Sequence, residues 1–331
     1  MTRHLFLLLL LTAVTSSAAA PDAKYKAPRN EYGQPDLQGV WNFSSDVPLE
    51  RPASAAGKNV WKREELEAYK AAKAKAFAMI SKMVPVEDVA LDWLDYAGRI
   101  ENLSTSLITY PENGRMPKLV EGVRRVPGPD QIFAALIDSN GAPPVELLSA
   151  IATGGTKDGP ADFSPAERCL FVGNTPLTPD FDNNYVQIIQ AKDSVALLTE
   201  NQTRIVPLDG RPHVSEKLRS WGGDSRGRWE GDTLVVETRN FNRRTRSFAG
   251  AGNSLDKVVT ERLSRVSKNA VAYEATIVDP KTFQDKIVIS LPMAQVDSRI
   301  FEYACHEGNY SLPMSLAGAR KEEQAAIKTK P

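Results

Sequence analysis

The chain has 331 residues, with 41 Lys and Arg against 41 Asp and Glu, three His and two Cys. Balanced charge excludes the broad basic surface that drives nucleic-acid binding. A composition of 42% hydrophobic and 25% charged residues excludes an intrinsically disordered chain. So few His and Cys leave little material for a multi-metal site, and no metal or cofactor is expected.

Residues 1–20 read as a secretory signal. Arg3 and His4 form a short positive region, and Leu5 to Val14 is mostly apolar. That run falls short of the about 20 residues a spanning helix needs. Ser17 to Ala20 supply the small residues of a cleavage site. Cleavage after Ala20 takes Arg3 from the 41 basic residues and leaves 40 Lys and Arg against 41 Asp and Glu. No later run is long and apolar enough to span a bilayer, so no membrane span is expected after cleavage and the protein is expected to be periplasmic or secreted. In that oxidising compartment the even Cys count favours a Cys169–Cys305 disulfide over two buried thiols. Closing so long a loop contributes about 4–5 kcal/mol in the chain-entropy model.

Residues 21–38, rich in Pro, Gly, Asn and Asp, read as an extended arm. Gly39 to Phe43 alternates like a strand. Residues 62–83 predict a helix. They lack Gly and Pro, and Leu66, Tyr69, Phe77, Ile80 and Met83 recur at helical spacing until Pro85 stops the run. Thr105 to Tyr110 reads as a strand ending in the turn Pro111 to Gly114, residues 130–152 as two short helices, and 153–165 as a loop. From Tyr185 the period becomes two. Strands are expected over Tyr185–Ala191, Val195–Asn201, Thr203–Leu208, Arg228–Thr238 with a tight turn at Glu230-Gly231-Asp232, Lys257–Val266, Ala270–Asp279, Ile287–Leu291 and Arg299–Cys305. Val271, Tyr273, Ala275 and Ile277 share one face; so do Val259, Glu261, Leu263 and Arg265, which places charge on a face of β-sheet.

These elements predict a mainly β fold: an antiparallel up-and-down barrel with N-terminal helical additions. Residues 39–331 read as a single barrel domain with a helical insertion around 62–165. Two blocks, Gly223 to Thr238 followed by Asn240-Phe241, and Phe301 to Tyr310 followed by Leu316 to Arg320, resemble a group of uncharacterised secreted bacterial proteins. Pro35 to Trp41 and Ile205 to His213 resemble it too, and the resemblance covers about half of the chain beyond the signal. It implies no activity. Gly39-Val40-Trp41 and the meander after it resemble the lipocalin-like, or calycin, barrels, which implies an enclosed small ligand.

Two polar clusters mark candidate sites. His213 lies among Asp209, Arg211, Arg219, Trp221, Asp224 and Arg226 in a loop expected at one end of the barrel. Cys305-His306-Glu307-Gly308-Asn309-Tyr310 is expected to end the last strand, with His306 able to serve as acid or base near neutral pH. His306, Glu307, His213 and Asp224 are the candidate catalytic residues; Arg226, Trp229, Trp221, Arg211, Tyr303 and Asn309 are the candidate ligand contacts. His213, His306 and Glu307 lack the sequence spacing of a metal site. Ser225 has the Gly-x-Ser-x-Gly spacing of a nucleophile elbow, but a hairpin rather than a helix follows it. The leading expectation is a small-molecule-binding barrel with a polar mouth of His213, Asp224, Arg226, Trp229, His306 and Glu307. The alternatives are a hydrolase or lyase acting on a small extracellular substrate with His306 as acid/base, and an envelope protein that docks a partner on Leu66, Tyr69 and Phe77.

Overall fold

The computed structural model describes residues 25–83, 100–123 and 158–328, apart from 164, 166, 171–172, 174, 181–182, 244, 246–247 and 249–253. The expected signal over 1–20 and the two short helices over 130–152 lie outside these residues. Ten strands form among the described residues: β1 Gly39–Asn42, β2 Ile108–Tyr110, β3 Tyr185–Ala191, β4 Ser194–Thr199, β5 Gln202–Pro207, β6 Asp224–Glu230, β7 Thr233–Arg239, β8 Val258–Ser267, β9 Ala270–Val278 and β10 Ile287–Val296. Nine run in the order β5-β4-β3-β1-β10-β9-β8-β7-β6, a nearly closed barrel-like sheet, and β2 pairs with β10 off this path. Every ladder is antiparallel.

The structure assigns the faces that alternation grouped from Tyr185 onward. Val271, Tyr273, Ala275 and Ile277 are buried, as are Val259, Glu261 and Leu263. Gly227, Val236, Glu261, Ala275 and Ile289 form one inward row across β6, β7, β8, β9 and β10. Trp41 is wholly buried and donates its indole N–H to the Leu37 carbonyl at 2.8 Å, so it fills the core.

β10 runs past its expected end at Leu291 because Pro292 costs it no bond. The Ser290 N–H donates to Leu107 beside β2, and β1 takes over the same edge at Ala294. Residue 292 points its nitrogen to that same side, in the gap between the two partners, where a missing donor is tolerated. β6 begins at Asp224, so the first residues of the Gly223 to Thr238 block are strand, not loop. Arg299–Cys305, by contrast, is not a strand. After Val296 the chain leaves the sheet, and residues 305–308 form a turn. Its alternation never finds a neighbouring strand to pair with.

Two α-helices are present among the described residues. α1, Arg63–Met83, matches the helix read from periodicity. Its Leu66 and Tyr69 are buried with Ala55 and Trp61, and Tyr69 stacks on Trp61 at 5.6 Å. The chain itself therefore covers that part of the stripe expected to dock a partner. α2, Ser311–Lys328, was not read from sequence, although Ala, Glu, Lys and Arg dominate it. Among the described residues no helix is long and apolar enough to cross a membrane. The Cys169–Cys305 disulfide is formed.

Nine strands with only antiparallel ladders leave the first and last, β5 and β6, running in the same direction. No ladder joins them. Side chains close the seam instead. A Cβ on Gly227 of β6 would stand 2.6 Å from Leu208 and 2.8 Å from Val206, so only glycine lets these residues pack there. Gly227→Val is expected to overpack the seam and lower stability by about 1–3 kcal/mol in urea unfolding; unchanged stability would mean the seam is not packed at this point.

One buried group makes stability depend on alkaline pH. Lys257, just before β8, is buried beneath the Phe241 ring. Burial lowers its amine to about 8, against partial opposition from the Asp279 carboxylate. The unfolded chain keeps that proton until about pH 10.4. Between these values the unfolded state binds more protons, so stability rises with pH. The Lys257 contribution should raise unfolding free energy by about 2–3 kcal/mol between pH 8 and 10. Subtracting the profile of Lys257→Met isolates it, and a flat difference would contradict the burial of a charged amine.

Candidate functional site

The inward charge belongs to a closed network. Glu261 on β8 faces the interior and pairs with Arg204, which enters from β5 on the inner face between Thr203 and Ile205. The contact is bidentate, with the Arg204 Nη2 donor 2.9 Å from Oε1 and Nη1 bonded to Oε2. Arg204 is 6% exposed and Glu261 is not exposed at all. Tyr273 on β9 donates its hydroxyl proton to Glu261 Oε1 at 2.7 Å and accepts the Leu177 N–H at 2.8 Å. The segment leading to β3 therefore reaches into the barrel. Burial opposes the Arg204 charge, but Glu261 outweighs it and holds the guanidinium more firmly protonated than usual. Burial first, and then the Glu261 charge, push the Tyr273 phenol well above its ordinary range, so it stays a donor.

The His213 cluster is real but lies elsewhere than expected. Because β5 and β6 run the same way, residues 208–223 must return along the barrel wall. Asp224, Arg226 and Glu237 alternate with the buried Ser225, Val236 and Thr238, and so face outward. His213 Nδ1 is 2.7 Å from Asp224 Oδ2, and Nε2 is 3.2 Å from Glu237 Oε1. Both contacts are hydrogen bonds only when the ring carries two protons. Arg226 bonds Asp224 Oδ1 at 2.7 Å, and Arg239 lies 2.8 Å from Glu237. The row alternates basic and acidic side chains and clips the crossover to the outer face of β6 and β7. It is not a mouth at the barrel end. Ser225 shares a buried hydrogen bond with Thr238, not with a base.

The remaining candidates scatter. Arg211 is exposed and pairs with Asp209. The carbonyl of Trp221 accepts the Thr245 hydroxyl at 2.9 Å where the crossover rejoins the sheet. Trp229 packs against the core, and its buried Nε1 has no hydrogen-bond partner among the described residues. Tyr303, His306 and Glu307 are exposed in the stretch around Cys305. Asn309 donates to the Glu167 carbonyl at 2.8 Å and to Cys169 Sγ at 3.2 Å. The structure thus joins His213, Asp224 and Arg226 and places His306, Glu307, Tyr303 and Asn309 in a separate disulfide-tied segment. It adds Glu237 to the first group. Among the described residues no His, Cys, Asp or Glu group is arranged to hold a metal ion.

Sequence reasoning missed Arg204 and its pairing with Glu261. The available signal was opposite charges at apolar registers of two strands: Arg204 beside Val206, and Glu261 between Val259 and Leu263. Comparison with family models, with curated proteins and with solved structures gives no match.

His213→Ala should free the crossover, costing about 1–2 kcal/mol. Trypsin should then cut after the exposed Lys217 faster than in the parent, whereas Arg211→Ala should leave the rate unchanged. Equal cleavage in His213→Ala would show that the clip does not hold the crossover.

Proposed function

We propose that the chain is an extracytoplasmic, lipocalin-like barrel that takes up one small polar molecule and recognises it inside, at Arg204, Glu261 and Tyr273. The observation that carries this reading is the withdrawal of two opposite charges into the barrel interior. Desolvating them costs several kcal/mol per ion, and well-packed apolar residues of similar volume stabilise such positions at least as well. A charged pair kept at that cost fits recognition better than stability. A barrel of about this strand number has room for one small ligand. The Leu177 segment, bonded to Tyr273, occupies part of that room, and a ligand would compete with it for the phenol. The disulfide fits an oxidising compartment.

Single and double substitutions separate binding from folding. Glu261→Ala leaves Arg204 buried and unpaired and should cost about 3–5 kcal/mol. Arg204→Met with Glu261→Gln removes both charges and keeps an acceptor for Tyr273, so its melting should stay close to the parent. Native mass spectrometry after incubation with polar extracts of the source cells should then show a small-molecule adduct on the parent and none on the double variant. An adduct retained by the double variant, or no adduct on the parent from any extract, overturns the reading.

A further inference from the structure

The imidazole of His213 is held on both of its nitrogens. Nδ1 meets Asp224 Oδ2 of β6 at 2.7 Å, and Nε2 meets Glu237 Oε1 of β7 at 3.2 Å. A neutral imidazole has one ring proton and donates one hydrogen bond. Its other nitrogen then turns a lone pair on a carboxylate oxygen, acceptor against acceptor. Only the imidazolium satisfies both sides. Imidazole is also the one side chain that ordinarily changes charge between about pH 5 and 8. The other charges on this face are carboxylates and guanidinium groups already engaged with one another or with carbonyls. Arg226 bonds Asp224 Oδ1 at 2.7 Å and the Pro212 carbonyl at 3.0 Å. Arg239 lies 2.8 Å from the same Glu237 oxygen, and Arg228 and Arg262 both bond Glu230. On the crossover, Asp209 pairs with Arg211, Arg219 bonds the Leu255 carbonyl, and Glu216 and Lys217 are exposed.

The crossover is anchored differently at its ends and in its middle. At the ends, the Leu208 N–H donates to the Asp193 carbonyl at 2.8 Å and the Ser220 N–H to the Asn240 carbonyl at 3.1 Å. These are backbone bonds, and no proton gained or lost in this pH range alters them. The middle is held at His213 and Val214. Val214 donates its N–H at 3.1 Å to the same Asp224 oxygen that His213 uses, and its carbonyl accepts Asn240 Nδ2 at 2.9 Å. We infer that His213 is a pH-sensitive latch. Its imidazolium holds the middle of the crossover, residues 211–217, against β6 and β7, and loss of its proton as pH rises releases that stretch. The ends stay fixed, so the released stretch lifts from the wall beside the β5–β6 seam, which no ladder closes. The latch works on the outer face and does not depend on a ligand in the interior. One charge-assisted bond at a partly exposed site moves the open-to-closed ratio by about tenfold.

The test is amide hydrogen exchange on the full chain between about pH 5.5 and 8, with ring-nitrogen NMR of the histidines over the same range. Each exchange rate is corrected for the intrinsic pH dependence of the amide. Protection of the Val214 amide should fall about tenfold as pH rises, with its midpoint where the His213 ring loses its second proton. The Leu208 and Ser220 amides should keep their protection. His213→Gln, whose amide does not titrate, should leave Val214 equally protected at both ends of the range. Constant Val214 protection in the parent, or a fall shared by Ser220, overturns the latch, and neither outcome needs a variant to fold. A pH dependence of Val214 that survives in His213→Gln also overturns it, because another group then controls the release.

Discussion

Arg204 reaches Glu261 across the barrel interior, from a strand with one ladder partner to a strand with two. β5 is bonded only to β4, and β6 only to β7. The hydrogen-bond ladders alone would leave an open, twisted sheet with two parallel edges. The charged pair ties β5 to the far side, and Val206 and Leu208 pack onto Gly227 at the seam. Closure by packing alone would suffice for an apolar interior. On the proposed reading the charges serve recognition, and their geometry limits how. Both Glu261 oxygens are engaged by Arg204, and Tyr273 adds a third donor at Oε1. On the proposed reading, a ligand would replace the Leu177 N–H at Tyr273 rather than open the ion pair.

The same strand parity governs the outside of the barrel. A hairpin cannot connect two parallel neighbours, so the chain between β5 and β6 has to travel the length of the wall. The His213 row is the consequence. Asp224 starts β6 and Glu237 sits two residues before the end of β7, and the imidazole bridges them. Arg226 and Arg239 balance the carboxylates from either side. The opposite end is closed by the N-terminal arm. Leu37 donates its N–H to Gln190, Arg265 donates to the Asp36 carbonyl and lies over Trp41, Gln34 bonds the β3–β4 turn at Lys192, and Arg29 pairs with Asp232 in the β6–β7 turn. Each contact joins an arm residue to an inner face or a turn at that end, so the arm acts as a stopper.

Most strands were legible because their apolar residues alternate and one face is buried. Tyr185–Ala191 and Ala270–Val278 are examples. Periodicity failed where a partner decides. Arg299–Cys305 alternates but has no neighbour, and β10 continues through Pro292 because two short strands share its edge. The site was less legible because composition shows which groups are polar, not which way they face. The His213 loop is dense in charge because it lies in solvent against the outer wall. Glu261 is an acid between the buried Val259 and Leu263 of its strand, and that register was the better signal. Its partner lies 57 residues away on a strand across the barrel, a separation that no local pattern encodes.

The three charge clusters differ in how much water they have lost. The His213 row keeps partial exposure, so each of its bonds is modest and holding the crossover accounts for it. The Arg204–Glu261 pair has lost its water but gained a partner for every charge, so it persists without being a strong source of stability. Lys257 and Asp279 have lost water and gained little. The ring face beneath Nζ offsets part of the ammonium's desolvation, and one carboxylate oxygen has no donor among the described residues. By this ordering the end of the barrel at β8 and β9 carries the largest uncompensated polar cost per group.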